Sequence, residues 1–296
     1  MAARLPFLVS AVFHYLGPAF AVLLFVRVDV LGVAWLRIAA AAAVFALWRR
    51  PWHACRNPVV IAWGVVLAVM NCCFYLAIDR LPLATVAAIE FLPVIVLAAL
   101  GARSRRNAAA LALAVPGVYL LTGVHLEGEA LGVALALANA GLFAAYIVLA
   151  HKAAGDDGID GLAAAMLIAL AVVTPLAGWA AVPAFADPVA LAAGVGVGLC
   201  SSVIPYVADQ IAMARLSRAA YALMVSLLPA TATVVGLIVL TQVPSPAEAA
   251  GIALVIAGVA LHREPTPPPA APPPPRRRPS PAATPIPAAS GTRGRP

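Results

Sequence analysis

The stretch NCCFYLAIDRLPLATVAAIEFLPVIV, residues 71–96, contains two apolar runs separated by the short link at 79–82. An α-helix needs about 20 mainly apolar residues to cross a bilayer, and both runs lie in apolar sequence of that length. One carboxylate, Glu90, stands inside the second run, three residues before Pro93. The stretch therefore predicts two membrane helices, the second with an ionisable group among apolar neighbours.

The same pattern continues along the chain. Its 296 residues are 64% hydrophobic and 10% charged, whereas soluble domains carry about 25% charged residues. The sequence predicts an all-α polytopic membrane protein with ten transmembrane helices, at 5–26, 30–49, 58–78, 83–101, 107–124, 129–151, 159–181, 188–213, 219–241 and 245–262.

Basic residues fix the expected orientation of these helices. Of the 19 Lys and Arg residues, sixteen fall before the first helix, in alternate links or after the last helix. Short loops rich in Lys and Arg stay in the cytoplasm, so both termini are expected there, in a multi-pass protein of the inner membrane. The net charge of +7 then indicates contact with anionic lipid headgroups rather than nucleic acid.

The C-terminal tail, residues 264–296, has a different composition. It is built of Pro, Ala, Ser, Thr and Arg, with PTPPPAAPPPPRRRPSP at its centre. Such a segment buries too little apolar surface to fold, so disorder with local polyproline II structure is expected. Three interpretations stay open: a ligand for a Pro-recognising domain, a lipid contact of the arginines, or a dispensable tail.

A weak internal repeat divides the helices into two sets of five. The stretch PYVADQIAMARLSRAAYALMVSLLPATA, residues 205–232, aligns with 71–96 when Leu81 is placed on Leu216. Because five is odd, the second copy enters the membrane from the opposite side. The pattern predicts inverted five-helix repeats at 1–126 and 127–263, the usual construction of alternating-access carriers.

Several motifs carry a family resemblance. They include WLR at 35–37, RRPW at 49–52, SxIPY at 202–206, MVSLLPATA at 224–232, and Met70–Val94 together with Leu135–Gly155. On these residues the chain resembles the EamA-type carriers of the drug/metabolite transporter superfamily, and within it the bacterial threonine/homoserine exporters. The resemblance implies ten helices in two inverted repeats and export of small amino-acid-like metabolites. The family usually has a Gly-Glu pair before a Pro after the ninth helix, whereas LTQVPSP, residues 240–246, has Gln242 in the acidic position.

Two charged side chains inside the spans are the leading candidates for a site. Glu90 is expected to bind a substrate ammonium, to act as a proton-coupling group, to pair with Arg37, or to stay protonated and hydrogen-bonded. Arg37 always carries its charge, so it needs a carboxylate, a carbonyl or water. Binding of a substrate carboxylate and snorkelling toward the outer interface both remain open for it.

Other polar residues of the spans are weaker candidates for substrate binding or coupling. For Asp209, solvation at the cytoplasmic interface or pairing with Arg215 or Arg218 is the favoured interpretation. His14 is expected to be a pH-sensitive gate or a neutral hydrogen-bonded side chain. The remaining candidates are cavity-lining or interhelical polar groups: Asn71, Tyr75, Asn139, Tyr146 and Tyr206.

The functional prediction is a secondary carrier rather than an enzyme. The sequence lacks a phosphate-binding loop and shows neither metal-ligand spacing among its four cysteines nor a recognisable catalytic triad, so no cofactor or metal is expected. The expected partners are a small-molecule substrate and the bilayer, and a homodimer is left open. The alternative is a non-transporting scaffold or sensor that uses the Pro-rich tail.

Overall fold

The structure is a computed structural model that describes residues 5–93, 96, 105–126, 129–153, 158–208 and 228–261. Every segment of regular structure in these ranges is helical, which confirms the predicted all-α class. The helices described below belong to the unit Met1–Pro265. The tail predicted at 264–296 lies outside the described residues.

Each α-helix of the described residues overlaps a predicted apolar segment. The bounds of these helices are α1 Leu5–Leu24, α2 Val30–Arg49, α3 Pro58–Ile78, α4 Leu83–Glu90, α5 Arg105–Leu126, α6 Ala130–Ala153, α7 Gly158–Ala181, α8 Pro188–Gly198, α9 Leu228–Leu240 and α10 Pro246–Leu261. Two of them, α4 and α8, end earlier than the predicted 101 and 213. Short 3₁₀ turns at Ala54–Arg56 and Val182–Ala186 join α2 to α3 and α7 to α8.

Polar residues at the links explain where several helices begin. Asp29 accepts a hydrogen bond from the backbone N–H of Leu31 at the start of α2, and Asn57 does the same for Val59 in α3. Asp187 accepts from two N–H groups at the start of α8. These carboxylate and amide oxygens satisfy donors that have no partner inside the helix.

Within the part of the chain that the structure describes, five helical segments are long and apolar enough to cross a membrane: Val30–Arg49, Pro58–Ile78, Ala130–Ala150, Ile159–Ala186 and Pro188–Ala208. Shorter apolar helices cover Leu8–Leu24, Leu228–Leu240 and Pro246–Leu261. Large apolar side chains such as Leu47, Ile238 and Tyr119 point outward. Such a surface is suited to lipid and not to water, so the chain is a membrane protein.

Helices from the two halves of the sequence pack against each other throughout. The principal pairs are α2–α7, α3–α6, α3–α7, α1–α8, α2–α8, α1–α9, α4–α6, α4–α9 and α5–α10. The α5–α10 pair is close because Gly117 and Gly251 face each other, and a Cβ on either glycine would lie within 3 Å of the other's carbonyl oxygen. Small residues permit such contact between membrane helices.

The α2–α7 pair is tied along its length by polar contacts. Arg27 pairs with Asp187 at 3.2 Å beyond one end, and Arg49 pairs with Asp160 at 2.7 Å at the other. Between them the Trp35 indole N–H donates to the hydroxyl of Thr174 at 2.9 Å. These bonds hold α2 in a fixed register against α7.

Candidate functional site

A cavity of about 70 Å³ lies among helices from both halves. On this measure one water needs about 10–15 Å³, so the cavity has room for several waters or a small organic molecule. Its walls combine charged, amide, hydroxyl and aromatic groups: His14, Pro18, Arg37, Ile38, Leu67, Met70, Asn71, Phe74, Glu90, Asn139, Phe143, Tyr146, Ser202 and Tyr206. Arg37 lies seven residues after the first residue of α2, about 10 Å along the helix, so the cavity lies well within the span.

Most of the residues predicted from sequence meet at this cavity. Seven line it, namely His14, Arg37, Asn71, Glu90, Asn139, Tyr146 and Tyr206. Tyr75 is fully buried behind the wall instead, with its ring 5.5 Å from the guanidinium carbon of Arg37. Asp209 lies outside the described residues.

Glu90 is the last residue of α4, and the helix ends there because of the proline that follows. Pro93 has no N–H to donate to the Ile89 carbonyl, which accepts from Phe91 instead, and α4 ends at Glu90. The Glu90 side chain is buried, and one carboxylate oxygen accepts a hydrogen bond from the Asn139 amide nitrogen at 3.1 Å. A carboxylate oxygen of α4 is thus bound by an amide of α6.

Arg37 is turned inward and bound along one edge of its guanidinium. Its Nε donates to the Ser202 hydroxyl at 3.1 Å, and its Nη2 donates to the backbone carbonyl of Ser201 at 3.3 Å. Nε and Nη2 form the side edge of the guanidinium, so the fork at its end, made by Nη1 and Nη2, still has free N–H groups. This fork matches the geometry of a carboxylate.

The two serines that hold Arg37 lie on a π-helical turn. The turn, Leu199–Val203, follows α8 directly, and both Ser201 and Ser202 are buried in it. In an α-helix the Ser201 carbonyl would bond to the N–H of residue 205, which is Pro205 and has none. The proline therefore releases the carbonyl that Arg37 uses. Single π turns inside helices occur frequently at functional sites.

Two glycines bring the π turn close to its neighbours. A Cβ at Gly198 would lie 2.8 Å from the Arg37 carbonyl oxygen, so α2 and α8 touch at the level of Arg37. A Cβ at Gly17 would overlap the Ser201 hydroxyl, so α1 lies against the turn as well. Larger residues at either position would move the turn away from Arg37.

Among the described residues, no ion pair joins Arg37 to Glu90. The described pairs are Arg27–Asp187, Arg49–Asp160 and Arg80–Asp79. Arg37 and Glu90 nevertheless line the same cavity, each bound by polar groups of the second half of the chain. The cavity therefore presents a positive and a negative group that do not neutralise each other by direct contact.

The other polar residues of the cavity have more local contacts. The Asn71 amide donates to the Ala34 carbonyl at 3.1 Å and so ties α3 to α2. His14 meets Tyr15 edge to face at 5.3 Å. The Tyr146 ring stacks on Phe143 at 6.0 Å and contacts Trp63 at 5.6 Å. Together the aromatic rings form an apolar wall beside the charged groups.

Gln242, the residue in the family's acidic position, lies at a second cavity of about 130 Å³ between α4, α9 and α10. Its side-chain oxygen accepts from the backbone N–H of Leu83 at 3.0 Å. Pro82, the residue before α4, offers no side-chain acceptor, so Gln242 caps this helix from the other half of the chain. Thr241, just before it, has a φ of 54°.

Sequence reasoning missed Ser201 and Ser202 as binding groups for Arg37. Serine is common in membrane helices, and its hydroxyl gives no indication of its partner. The spacing of Ser201 and Pro205 was the available signal, because a proline four residues later predicts a free carbonyl.

A membrane protein whose helices enclose a charged cavity inside the span has the construction of a solute carrier. Comparison with known proteins agrees. Residues 130–263 match the EamA-like transporter family, in agreement with the resemblance that the motifs carry.

Relatives of known activity extend this match over most of the chain. The threonine/homoserine exporter RhtA of Escherichia coli strain K12 is 29% identical over 249 residues, which cover 81% of this chain and 84% of that protein. The protein of the same name from Salmonella typhimurium strain SL1344 is 28% identical over 262 residues, covering 84% of this chain and 88% of the relative.

The fold also has a counterpart among solved structures. One crystal structure aligns with 88% of this chain and 96% of its own, with a TM-score of 0.57 and 20% sequence identity. At this level of identity the likeness concerns the fold alone.

Proposed function

We propose that this protein exports small α-amino acids of the threonine and homoserine kind across the inner membrane by alternating access. The observation that carries the proposal is the pair of opposite charges, Arg37 and Glu90, that face one cavity without forming an ion pair. A zwitterionic amino acid supplies the two missing partners at once. The relatives' names as threonine/homoserine exporters support the same substrate class.

The chemistry of each charged group assigns it a partner on the substrate. The free end of the Arg37 guanidinium offers parallel N–H donors for a carboxylate. Glu90 accepts one hydrogen bond, from Asn139, and has further lone pairs for the three N–H donors of an ammonium. Because unpaired charges inside a membrane protein are costly, a functional role explains why both are present.

The size and walls of the cavity favour small substrates. A volume of about 70 Å³, enough for several waters, is suited to a small solute. Phe74, Phe143 and Pro18 form apolar wall sections, while Tyr146 and Tyr206 add hydroxyl groups. A short side chain that carries one hydroxyl, as in threonine or homoserine, suits this mixture.

The packing of the helices supports the two inverted repeats at 1–126 and 127–263, and with them alternating access. When α1–α5 are exchanged with α6–α10, the pairs α3–α6, α3–α7 and α1–α9 map onto α1–α8, α2–α8 and α4–α6. The pairs α2–α7, α4–α9 and α5–α10 map onto themselves. Two related halves around a central site are the arrangement that lets a carrier open to either side.

Glu90 is also the group through which export would be coupled to protons. It is the carboxylate among the described cavity residues, so substrate ammonium and proton would compete for it. A carrier that exchanges one for the other moves substrate out as protons enter. The basic residues of alternate loops support the orientation, with both termini in the cytoplasm.

The test is counterflow in proteoliposomes with labelled threonine, homoserine, larger amino acids and a sugar, each with and without a pH gradient. We expect saturable flux of threonine and homoserine that the gradient accelerates and that Glu90→Gln abolishes. Equal flux through Glu90→Gln at equal protein content would overturn the role of Glu90. Deletion of residues 264–296 separates the scaffold alternative, because a carrier keeps its flux without the tail.

A further inference from the structure

We infer that Ser202 is a positioning residue that makes the site selective for substrates with a carboxylate, because it fixes the direction of the Arg37 guanidinium. The inference rests on the proposed function and extends it to a group outside the predicted site. Ser202 does not need to touch the substrate; it acts through Arg37.

The guanidinium of Arg37 is held along one of its edges. The Ser202 hydroxyl binds Nε at 3.1 Å and the Ser201 carbonyl binds Nη2 at 3.3 Å, so two acceptors occupy the same edge. A guanidinium is planar and rigid, and fixing one edge fixes the direction of the others. The free fork at Nη1 and Nη2 therefore has a fixed orientation before the substrate binds.

The Ser202 hydroxyl and the Ser201 carbonyl are available to Arg37 because of their surroundings. Ser202 and Ser201 are 2% and 1% exposed, so both are shielded from bulk water. Pro205 lacks the N–H that would otherwise engage the Ser201 carbonyl in an α-helix. The π turn and Pro205 together supply an acceptor pair that an uninterrupted α-helix would not offer.

Neighbouring helices pack closely around the π turn and Arg37. Gly198 lets α8 approach α2 so closely that a Cβ there would collide with α2, and Gly17 lets α1 approach the turn so closely that a Cβ there would collide with Ser201. The Tyr75 ring also lies 5.5 Å from the guanidinium carbon of Arg37. A long, flexible side chain is thereby held before substrate binds, which reduces the entropy lost on binding.

A purely structural role for Ser202 makes a different prediction. If the hydroxyl only satisfies Arg37 inside the protein, its removal lowers stability and affects all substrates equally. If the hydroxyl directs the fork, its removal weakens the binding of substrates that carry a carboxylate and leaves the binding of other substrates unchanged. The two roles are distinguished by the ratio of the binding strengths of two substrates, one with and one without a carboxylate, in the same variant.

The experiment compares threonine with threoninol, in which a hydroxymethyl group replaces the carboxylate and the ammonium is retained. Counterflow of threonine and its inhibition by threoninol are measured for the parent and for Ser202→Ala. We expect the KM for threonine to rise roughly tenfold, as for a lost hydrogen bond to a charged group, with kcat within about twofold of the parent. The inhibition constant of threoninol should stay within about twofold, so the preference for the carboxylate falls about tenfold.

Two further variants serve as controls. Ser202→Thr keeps the hydroxyl and should restore most of the preference. Cys200→Ala alters the same π turn at a side chain that makes no hydrogen bond to Arg37, and it should behave as the parent. If Ser202→Ala fails to reach the membrane, Pro205→Ala tests the positioning of Arg37 instead. Its new backbone N–H competes with Arg37 for the Ser201 carbonyl. A several-fold loss of carboxylate preference is then expected.

The outcomes separate the inference from the proposed function. If the parent transports threonine but Ser202→Ala, or in its absence Pro205→Ala, keeps the parental ratio, the positioning role is wrong and the amino-acid carrier stands. If the parent neither binds nor moves threonine, the proposed function is wrong and the inference falls with it. A loss of flux without any change in the ratio assigns Ser202 to stability alone and overturns the inference.

Discussion

The amide nitrogen of Asn139 lies 3.1 Å from a carboxylate oxygen of Glu90, and this bond joins α6 to α4 inside the membrane span. Both residues are buried, Asn139 completely, and both line the central cavity. The amide stabilises the acid at the place where a substrate ammonium would bind. The bond therefore links the stability of the two halves to the chemistry of the site.

Asn139→Leu should impair transport more than folding. Leucine has a similar volume but leaves the Glu90 oxygen without its donor, at a cost of about 1–3 kcal/mol. We expect at least a tenfold loss of threonine kcat/KM, measured by counterflow, with the protein still present in the membrane. Parental kinetics in this variant would show that the amide does not support Glu90.

Arg37→Lys should bind threonine at least tenfold more weakly, although the charge is kept. Lysine carries a point charge on a flexible stem and cannot offer parallel donors to a carboxylate. Arg49→Lys is the matched control, since Arg49 pairs with Asp160 on the surface and a surface pair contributes at most about 1 kcal/mol. Equal KM values for the two variants would contradict the role given to Arg37.

The cap on α4 can be tested at Gln242 by thermal unfolding in detergent. Gln242→Ala leaves the Leu83 N–H without its acceptor, so a loss of about 1 kcal/mol and a lower Tm are expected. Gln242→Glu keeps an acceptor and should preserve the Tm at neutral pH. If both variants melt as the parent does, the cap contributes nothing to stability.

Asp187 should make stability depend on pH in the acid range. Hydrogen bonds from the backbone of Ala190, and then the side chain of Arg27, lower the pKa of its carboxyl below the ordinary value. Because folding favours the charged form, the stabilisation is complete at neutral pH and is lost as the pH falls through the lowered pKa. The Tm difference between the parent and Asp187→Asn should therefore shrink below about pH 4. A difference that stays constant from pH 7 to pH 3 would contradict this account.

Much of the fold could be predicted from the sequence, because lipid imposes long apolar helices with few alternatives. The segment predicted at 58–78 is α3, and the one predicted at 159–181 is α7 with one more residue at its start. Glu90 and Arg37 could be predicted as site candidates for a related reason, since charges are rare in such helices.

The partners of these residues could not be predicted in the same way. Ser202 lies 165 positions from Arg37, and Asn139 lies 49 from Glu90. A membrane helix is apolar on most faces, so its sequence does not indicate which side meets which neighbour. The cap from Gln242 to Leu83 also depends on tertiary contact between the two halves.

In the proposed carrier, one substrate molecule bridges Arg37 and Glu90. The most direct test is an experimental structure of the full-length protein with bound threonine. We expect the carboxylate within hydrogen-bond distance of Arg37 Nη1 and Nη2, and the ammonium within hydrogen-bond distance of Glu90. Threonine bound elsewhere, or bound in this cavity with its charged groups away from both side chains, would contradict the account.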